Sequence, residues 1–374
     1  MSRILVTGAK GFIGKNLVSA LCRNPEHEIF SFDIDSTEAE LNHYIHEADV
    51  IIHLAGINRP KDPSEFVAGN TQFTHSLCEI LLNSKKNVRV ILSSSIQAEL
   101  DNPYGNSKRL AEDELKQYAL QSKGEGIVYR LPNVFGKWCR PNYNSVTATF
   151  CHNIARGIPI EISDPSRELN LVYVDDVVRQ FTLEVEKPLS PGTFKYEQVP
   201  VTHQVTLGEL ASIITHFREM RQHNTLPDLG NPFIHKLYAT YLSYLETDEF
   251  SYPLHIHSDP RGELAEFVKS KGAGQIFVSR TRPGITRGNH FHDTKTEKFL
   301  VLDGEALIRF RHIMNDEMIE YKVSGKEFRV IDIPPGYTHS IENIGTSDML
   351  VLFWASEIFD SNKPDTYYSE VIKK

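Results

Sequence analysis

The feature that most constrains the fold is an alternation of short apolar runs with longer amphipathic stretches over roughly the first 200 residues. The apolar runs have the length of β-strands, and the stretches between them are long enough for the helical crossovers that join parallel strands. The pattern therefore predicts an α/β fold with a doubly wound parallel sheet. The predicted strands are residues 4–6, 29–32, 50–54, 88–92 and 127–129.

A glycine loop follows the first predicted strand and opens the first helix, with Gly8, Gly11 and Gly14 spaced three residues apart. Glycines at such a position allow the backbone to approach a pyrophosphate at the N-terminus of the helix. Asp33 follows the second strand, where an acidic side chain can accept hydrogen bonds from a ribose. The sequence thus indicates a dinucleotide site at the start of the chain.

The hydrophobic pattern changes near residue 250. Residues 221–232 are polar and contain prolines, and residues 251–253 interrupt the helical pattern that follows them. Beyond this point lie short alternating strands separated by glycine turns, which is typical of an all-β module. These strands are predicted at residues 276–279, 298–302, 306–310, 328–333 and 349–353. We therefore predict a first domain over residues 1–245, a linker over 246–253 and an all-β domain over 254–374.

Composition excludes several classes of function. The chain has 49 acidic and 40 basic residues, a net charge of −9, and no run of Lys and Arg suited to a phosphate backbone. Its longest apolar run is far shorter than a membrane span, and the N-terminus lacks the apolar core of a signal peptide. The four cysteines show no CxxC spacing, so we expect reduced thiols. The predicted protein is cytoplasmic, with neither nucleic acid nor membrane as a partner.

A proton-transfer device is predicted around Tyr104 and Lys108. The two residues are four positions apart, so they share one face of a helix, and the preceding strand ends in serines that can face both. A lysine cation there should lower the pKa of the phenol, which could then protonate a carbonyl that receives hydride. Ser95 is the first choice for the serine, and Ser94 is the second.

These motifs resemble the extended short-chain dehydrogenases that act on nucleotide sugars, over roughly residues 1–245. The glycine loop, the Tyr104 and Lys108 pair and residues 53–56, 130–136 and 172–177 carry the resemblance. It implies that Ser95 orients the substrate oxygen and that Lys108 also bonds the nicotinamide ribose. It further implies substrate contacts from Ser94, Asn133 and Arg167. The cofactor contacts that it implies are Gly8, Lys10, Gly11, Phe12, Ile13, Gly14, Asp33, Leu54, Ala55, Gly56, Tyr104 and Lys108.

The choice of cofactor depends on two residues with opposite preferences. Asp33 favours the unmodified ribose of NAD. Lys10 resembles the basic residue with which some nucleotide-sugar reductases hold a 2′-phosphate, so it favours NADP. We predict NADPH.

The all-β half resembles a cupin of the jelly-roll type over residues 254–365. The spacings of His290, His292, Glu297 and His339 match the two cupin motifs and supply three nitrogens and one oxygen for one divalent metal. The two histidines of an HxH pair on a strand point to the same face. This ligand set suits Zn, Fe, Mn or Ni, and zinc is the first choice. A glycine is expected at the position of Phe328, where it would affect a turn but no ligand.

A second HxH pair, His255 and His257, serves as an internal comparison. It has the same spacing as His290 and His292 but no downstream glutamate or histidine to complete a metal shell. We therefore predict a structural role for it.

Together the two halves resemble bifunctional enzymes of bacterial capsule biosynthesis. The resemblance implies that the cupin epimerises C3 of UDP-2-acetamido-2,6-dideoxy-β-L-arabino-4-hexulose. It further implies that the reductase uses NADPH to make UDP-2-acetamido-2,6-dideoxy-β-L-talose, a precursor of UDP-N-acetyl-L-fucosamine. The residues themselves indicate a reducible carbonyl and a metal-binding barrel. Two alternatives stay open, a regulatory protein that senses cofactor and sugar, and a simple 4-epimerase with an accessory cupin. Because both families commonly pair, a homodimer is expected.

Overall fold

The computed structural model describes residues 2–315 and 317–373, which form two compact units. One unit contains the chain up to Thr215 together with Lys236–Leu245, and the other contains His216–His235 together with the chain from Glu246 onward. The segment 216–235, which the sequence pattern places in the first domain, thus groups with the second unit. The reason is local, since the Leu226 amide donates to the Lys269 carbonyl at 2.7 Å.

Helices and strands alternate in the first unit, whereas strands dominate the second. The helices are α1 (Phe12–Leu21), α2 (Glu38–Glu47), α3 (Ser64–Phe66), α4 (Phe73–Ser84), α5 (Pro103–Gln121), α6 (Val146–Ala155), α7 (Val174–Glu186), α8 (Leu207–Gln222) and α9 (Pro232–Leu242). A π-helical segment, Val67–Gln72, joins α3 to α4, and Ile96–Glu99 and Thr247–Phe250 are 3₁₀ turns. In the part of the chain that is described, no helix is both long and apolar enough to cross a bilayer.

The strands of the first unit are β1 (Ser2–Thr7), β2 (His27–Phe32), β3 (Val50–His53), β4 (Arg89–Ser95), β5 (Glu125–Leu131), β6 (Asn133–Phe135), β7 (Glu168–Tyr173), β8 (Thr193–Glu197) and β9 (His203–Thr206). Those of the second unit are β10 (Ile256–Asp259), β11 (Gly262–Ser270), β12 (Gly274–Thr281), β13 (Thr286–Phe291), β14 (Glu297–Asp303), β15 (Glu305–His312), β16 (Met318–Ser324), β17 (Val330–Ile333), β18 (Tyr337–Asn343), β19 (Met349–Ala355) and β20 (Tyr367–Tyr368).

A six-stranded sheet in the order β2-β1-β3-β4-β5-β8 organises the first unit, and every neighbouring pair is parallel. The predicted parallel sheet is therefore confirmed. Since side chains alternate across a strand, Ile4 and Val6 pack on one face with residues of α1 and α7, while Leu5 packs on the other with residues of α2, α4 and α5. From β1 the chain continues to β2 on one side of the sheet. From β3 it continues to β4 on the opposite side, so the strand order reverses between β1 and β3. This reversal creates a crevice at the carboxyl ends of β1 and β3, where α/β sheets bind ligands.

The second unit consists of two antiparallel sheets that share one apolar core. Their orders are β10-β11-β12-β19-β14-β17 and β16-β15-β18-β13-β20. The core draws Phe299 and Phe353 from the first of these sheets and Ile308, Phe310 and Ile341 from the second. The prediction of an all-β second half is therefore confirmed.

One predicted strand starts later than expected. The apolar pattern placed its start at Phe328, but β17 begins at Val330. Phe328 has a φ of +45° and an exposed ring, so it adopts the left-handed conformation that favours glycine. This is the position at which the cupin pattern carries a glycine, and a phenylalanine holds the turn here at a cost in strain.

We predict that Phe328→Gly raises the free energy of unfolding of the protein by up to about 1 kcal/mol, because it removes the strain of a left-handed side chain and loses little burial. Denaturant unfolding followed by intrinsic fluorescence measures the change. Phe328→Ala is the matched control, since it removes the same ring but keeps the strained Cβ and should give no such gain. A loss of stability in the glycine variant would contradict this reading.

Candidate functional site

A cavity of about 540 Å³ lies at the carboxyl ends of β1, β3 and β4 in the first unit. Most of the residues that the sequence nominated for the cofactor and substrate line this cavity. They are Gly8, Lys10, Gly11, Phe12, Ile13, Gly14, Leu54, Gly56, Ser94, Ser95, Tyr104, Lys108 and Asn133. The fold thus gathers side chains from five separate stretches of sequence at one place.

The glycine loop packs too tightly for side chains. Gly8 has a φ of +70°, and a Cβ there would lie 2.7 Å from the backbone nitrogen of Ala55. A Cβ on Gly14 would lie 2.1 Å from the Gly8 carbonyl oxygen. Helix α1 begins after Gly11, so its first-turn amides face the cavity without a side-chain cap. Such amides can bind the pyrophosphate of a dinucleotide.

Asp33 and Lys10 lie at the rim of this loop. The Asp33 carboxylate accepts hydrogen bonds from the backbone amides of Lys10, at 2.7 Å, and Ile34, at 2.8 Å. The Lys10 ammonium forms an ion pair with Asp35 instead, which raises the pKa of the lysine. Both partners are well exposed, so this pair is weak and an anionic ligand could replace it.

Helix α5 positions Tyr104 and Lys108. Asn102 caps the helix by accepting the Gly105 amide at 2.8 Å, and Pro103 occupies the first turn. A Cβ on Gly105 would lie 2.1 Å from the Gln97 carbonyl oxygen, so only glycine lets this turn pack on the 3₁₀ turn that follows β4. The short connection after β4 therefore brings the start of α5 against the end of that strand.

Tyr104 and Ser95 both line the cavity, but the pKa of Tyr104 does not move as the sequence predicted. Burial raises the pKa of Tyr104, and the neighbouring Ser95 side chain opposes that effect. The expected lowering by Lys108 is not found, and the Lys108 ammonium donates to the Ser93 carbonyl at 2.9 Å. Burial also lowers the pKa of Lys108 to about 8, against the opposing effect of the Glu112 carboxylate.

Glu112 is a site residue that the sequence prediction missed. It is buried one turn beyond Lys108 on the same face of α5, and this spacing was the available signal. Its carboxylate accepts hydrogen bonds from the Ser94 hydroxyl and from Arg130, the latter at 2.6 Å. Because the Ser94 hydroxyl is occupied by Glu112, the geometry favours Ser95 over Ser94 as the serine that faces the phenol.

A second buried network lies beside the cavity. The imidazole of His53 is hydrogen-bonded at 2.6 Å to Thr7 and at 3.0 Å to Thr74. Burial and the charge of Lys108 lower the pKa of His53 to about 3, so the ring is neutral and joins β3 to its neighbours. Asn70, in the π-helical segment, exchanges two hydrogen bonds with the backbone of Ile57, at 2.8 and 2.9 Å. The segment that carries Leu54 and Gly56 is thereby fixed.

The two remaining substrate candidates differ in position. Asn133 lies exposed at the start of β6 and lines the cavity, whereas Arg167 is exposed just before β7 and does not line it. Trp138, Arg140 and Tyr143, which the sequence prediction missed, line the wall beyond Asn133. The Arg140 guanidinium lies 5.2 Å from the centre of the Tyr143 ring. This wall offers positive charge and aromatic surface to a ligand.

The four predicted metal ligands converge in the second unit. One donor atom from each of His290, His292, Glu297 and His339 lies within 4.8 Å of the others. The pairing of β13 with β18 places His290 opposite His339, and a bulge just before His290 sets its direction. Glu297 starts β14 and its Oε2 lies 3.4 Å from His292 Nε2 and 3.5 Å from His339 Nε2.

The electrostatics of this cluster suit a cation. Among the described residues, His292 Nε2 and both ring nitrogens of His339 are buried and have no hydrogen-bond partner. Burial and the neighbouring imidazoles lower the pKa of His290 to about 4, so this ring is neutral. Burial acts to raise the pKa of Glu297, but the adjacent imidazoles of His292 and His339 outweigh it and lower the pKa. Three imidazoles around a carboxylate form a donor set that fits a divalent metal, which would give a partner to Nε2 of His292 and of His339.

The comparison pair behaves differently. His255 and His257 are both exposed. Their rings contact each other, with 3.3 Å between His255 Nδ1 and His257 Nε2. Neither belongs to the cluster of four, and the structural role predicted for them stays a prediction.

Two family models match the chain. The NAD dependent epimerase/dehydratase family matches residues 4–195, and the polysaccharide biosynthesis C-terminal domain matches residues 257–367. The chain is 45% identical over 374 residues to UDP-2-acetamido-2,6-beta-L-arabino-hexul-4-ose reductase of Pseudomonas aeruginosa, with 99% of each chain covered. It is 26% identical over 229 residues to dTDP-4-dehydro-6-deoxyglucose reductase of Escherichia coli, covering 49% of this chain and 72% of the relative.

A solved structure also matches the whole chain. The capsular polysaccharide assembling protein CapF of Staphylococcus aureus aligns with a TM-score of 0.90 and 48% identity, covering 98% of this chain and all of the other. The similarity therefore extends over both units and is not confined to the cofactor fold.

Proposed function

Since the chain belongs to the NAD dependent epimerase/dehydratase family and to its CapF branch, we propose that it is a bifunctional UDP-4-keto-sugar enzyme of capsular polysaccharide biosynthesis. In this proposal the second unit epimerises C3 of UDP-2-acetamido-2,6-dideoxy-β-L-arabino-4-hexulose. The first unit then reduces the C4 ketone to give UDP-2-acetamido-2,6-dideoxy-β-L-talose. The observation that carries the proposal is the cavity in which Ser95, Tyr104 and Lys108 meet beside the glycine loop.

The residues of the first site divide the work of reduction. NADPH, when bound, supplies the hydride for C4. The Ser95 hydroxyl orients the carbonyl oxygen, and the Tyr104 phenol donates a proton to that oxygen as charge develops on it. Lys108, whose ammonium donates to the Ser93 carbonyl, would place a positive charge near this oxygen and would bond a ribose hydroxyl of the cofactor.

NADPH is proposed over NADH because of the charges at the rim of the glycine loop. The Asp33 carboxylate already accepts two backbone amides, so its capacity to hold a ribose diol is reduced. Lys10 carries an exposed ammonium whose present partner, Asp35, is equally exposed. A 2′-phosphate would form a charge-assisted hydrogen bond with this ammonium.

The second site is proposed to be a cupin barrel that holds zinc through His290, His292, Glu297 and His339. A C4 ketone acidifies the hydrogen on C3, so a base can remove that hydrogen and reprotonation on the other face inverts the centre. The four residues would hold a cation whose positive charge would stabilise the enolate. Glu297, His292 and His339 are buried, so that charge would act more strongly there than in water.

One assay with purified protein tests the proposal. Incubation with the UDP-4-keto sugar and NADPH should consume one cofactor per sugar, give a product two mass units heavier and, in D₂O, introduce deuterium at C3. Unchanged cofactor with an inverted C4 centre would identify a 4-epimerase. Binding of cofactor and sugar without conversion would identify a regulatory protein. The homodimer expected from the sequence stays a prediction.

We predict that Tyr104→Phe lowers the rate of NADPH oxidation by about 10²- to 10⁴-fold, because the proton donor to the C4 oxygen is lost. Deuterium exchange at C3 should persist, since it depends on the other unit. Absorbance of NADPH and mass analysis in D₂O measure the two activities. Tyr44→Phe, a change of the same kind in α2, is the control. Loss of both activities in the Tyr104 variant would argue against separate sites.

His290→Ala should impair the C3 step and leave the reduction intact, which is the reverse of the result expected for Tyr104→Phe. With one ligand removed, we expect zinc content to fall and C3 exchange to be lost, while NADPH oxidation with an already epimerised sugar continues. Elemental analysis of the purified variant reports the metal. His257→Ala is the matched control, because it changes the second residue of an exposed HxH pair. Full zinc retention in the His290 variant would remove this residue from the ligand set.

The pKa of Lys108 predicts a pH profile for the reduction. The ammonium is present below a pKa of about 8 and is lost above it, so kcat/KM should fall as pH rises through 8. The Glu112 carboxylate raises that pKa, so Glu112→Gln should move the falling limb to lower pH. Glu99→Gln, which removes the exposed carboxylate partner of Arg130, is the control. A limb that stays in place in the Glu112 variant would exclude Lys108 as the titrating group.

A further inference from the structure

Asp365, close to the end of the chain, makes an unusual number of contacts around the proposed metal centre. One carboxylate oxygen accepts the amide of Asp293 at 2.9 Å. The other accepts the amides of Thr294 at 2.8 Å and Lys295 at 2.7 Å, and also the Thr294 hydroxyl at 3.0 Å. These three consecutive residues belong to the loop that joins the ligands His292 and Glu297.

The backbone of Asp365 contacts a ligand directly. Its carbonyl oxygen accepts a hydrogen bond from Nδ1 of His292 at 2.5 Å. A carbonyl can only accept, so Nδ1 carries the proton of this bond, and in the neutral tautomer with that proton Nε2 presents its lone pair. That Nε2 is the buried nitrogen without a partner that lies 3.4 Å from Glu297. The hydrogen bond therefore selects the tautomer that a metal requires.

Residues Asp365–Val371, which we call the C-terminal strap, pack beside the strands that carry the proposed ligands. The amide of Ser369 donates to the Asn289 carbonyl at 2.9 Å. Buried Arg311 donates to the Val371 carbonyl at 3.0 Å. Strand β20, within the strap, pairs with β13 at the ligand His290. The strap is thus anchored on residues that adjoin the metal ligands.

We infer that Asp365 is a positioning residue for the metal centre, which sets the orientation of His292 and the span between His292 and Glu297 without itself binding the ion. The carboxylate has its oxygens engaged by four donors of the loop, and it lies outside the cluster of four ligand atoms. Residues that orient metal ligands in this way affect metal affinity by roughly 10- to 100-fold. This inference rests on the proposed metal site and extends it to the end of the chain.

The test measures zinc affinity in the full-length protein. Asp365→Ala and Asp365→Asn are titrated with zinc against a chromophoric chelator of known affinity, and melting temperatures are recorded with and without zinc. We expect a dissociation constant roughly 10- to 100-fold higher for the alanine variant, a smaller rise for the asparagine variant, and a reduced gain in melting temperature on adding zinc. Asp360→Asn is the matched control, because its carboxylate caps a turn at Asn362 in the same segment.

Each outcome has a distinct meaning. If the Asp365 variants bind zinc as tightly as the parent while the metal-free proteins melt at lower temperature, Asp365 only fastens the strap and the inference is wrong. If the parent protein binds no zinc, the proposed metal site fails first. If the alanine variant does not fold, Thr294→Ala is the substitute, because it removes the hydrogen bond from the Thr294 hydroxyl to the Asp365 carboxylate. This variant should also raise the dissociation constant for zinc.

Discussion

The requirement that buried polar groups find partners determines both candidate sites. Each unpaired buried group costs on the order of 1–3 kcal/mol, and more when it is charged. Beside the first cavity the buried His53 and Glu112 find partners within the protein, because Thr7 and Thr74 hydrogen-bond to His53 and Arg130 hydrogen-bonds to Glu112. In the cluster of four side chains in the second unit, three imidazole nitrogens have no such partner, and Nε2 of His292 and of His339 are available to an external group. One physical rule thus distinguishes a site that is assembled without an ion from a site that needs one.

The predictable parts of the structure are those whose physics is local or periodic. The parallel sheet follows from strand-length apolar runs, and the glycine loop follows from the spacing of Gly8, Gly11 and Gly14, where added Cβ atoms would meet backbone. The four candidate metal ligands were likewise found from their spacing, and the pairing of β13 with β18 places His290 opposite His339. In these cases a few residue types at fixed intervals are enough to predict the local structure.

The residues that sequence reasoning missed act across long separations or through burial. Asp365 lies 73 positions from His292, and no spacing rule connects the two. The expected lowering of the Tyr104 pKa was wrong because burial of the phenol raises that pKa. Phe328 was placed in a strand by its apolar side chain, but its positive φ belongs to a turn. Each of these misses concerns a property of the folded environment that hydrophobic pattern does not encode.

The proposed chemistry also explains why two unrelated folds would be joined in one chain. Inversion next to a ketone is reversible, so a free epimerase would leave a mixture of the two sugars. Reduction removes the ketone that makes the hydrogen on C3 acidic, and therefore makes the inverted centre permanent. The advantage lies in the order of the reactions, and it requires that the reductase discriminate between the two C3 epimers.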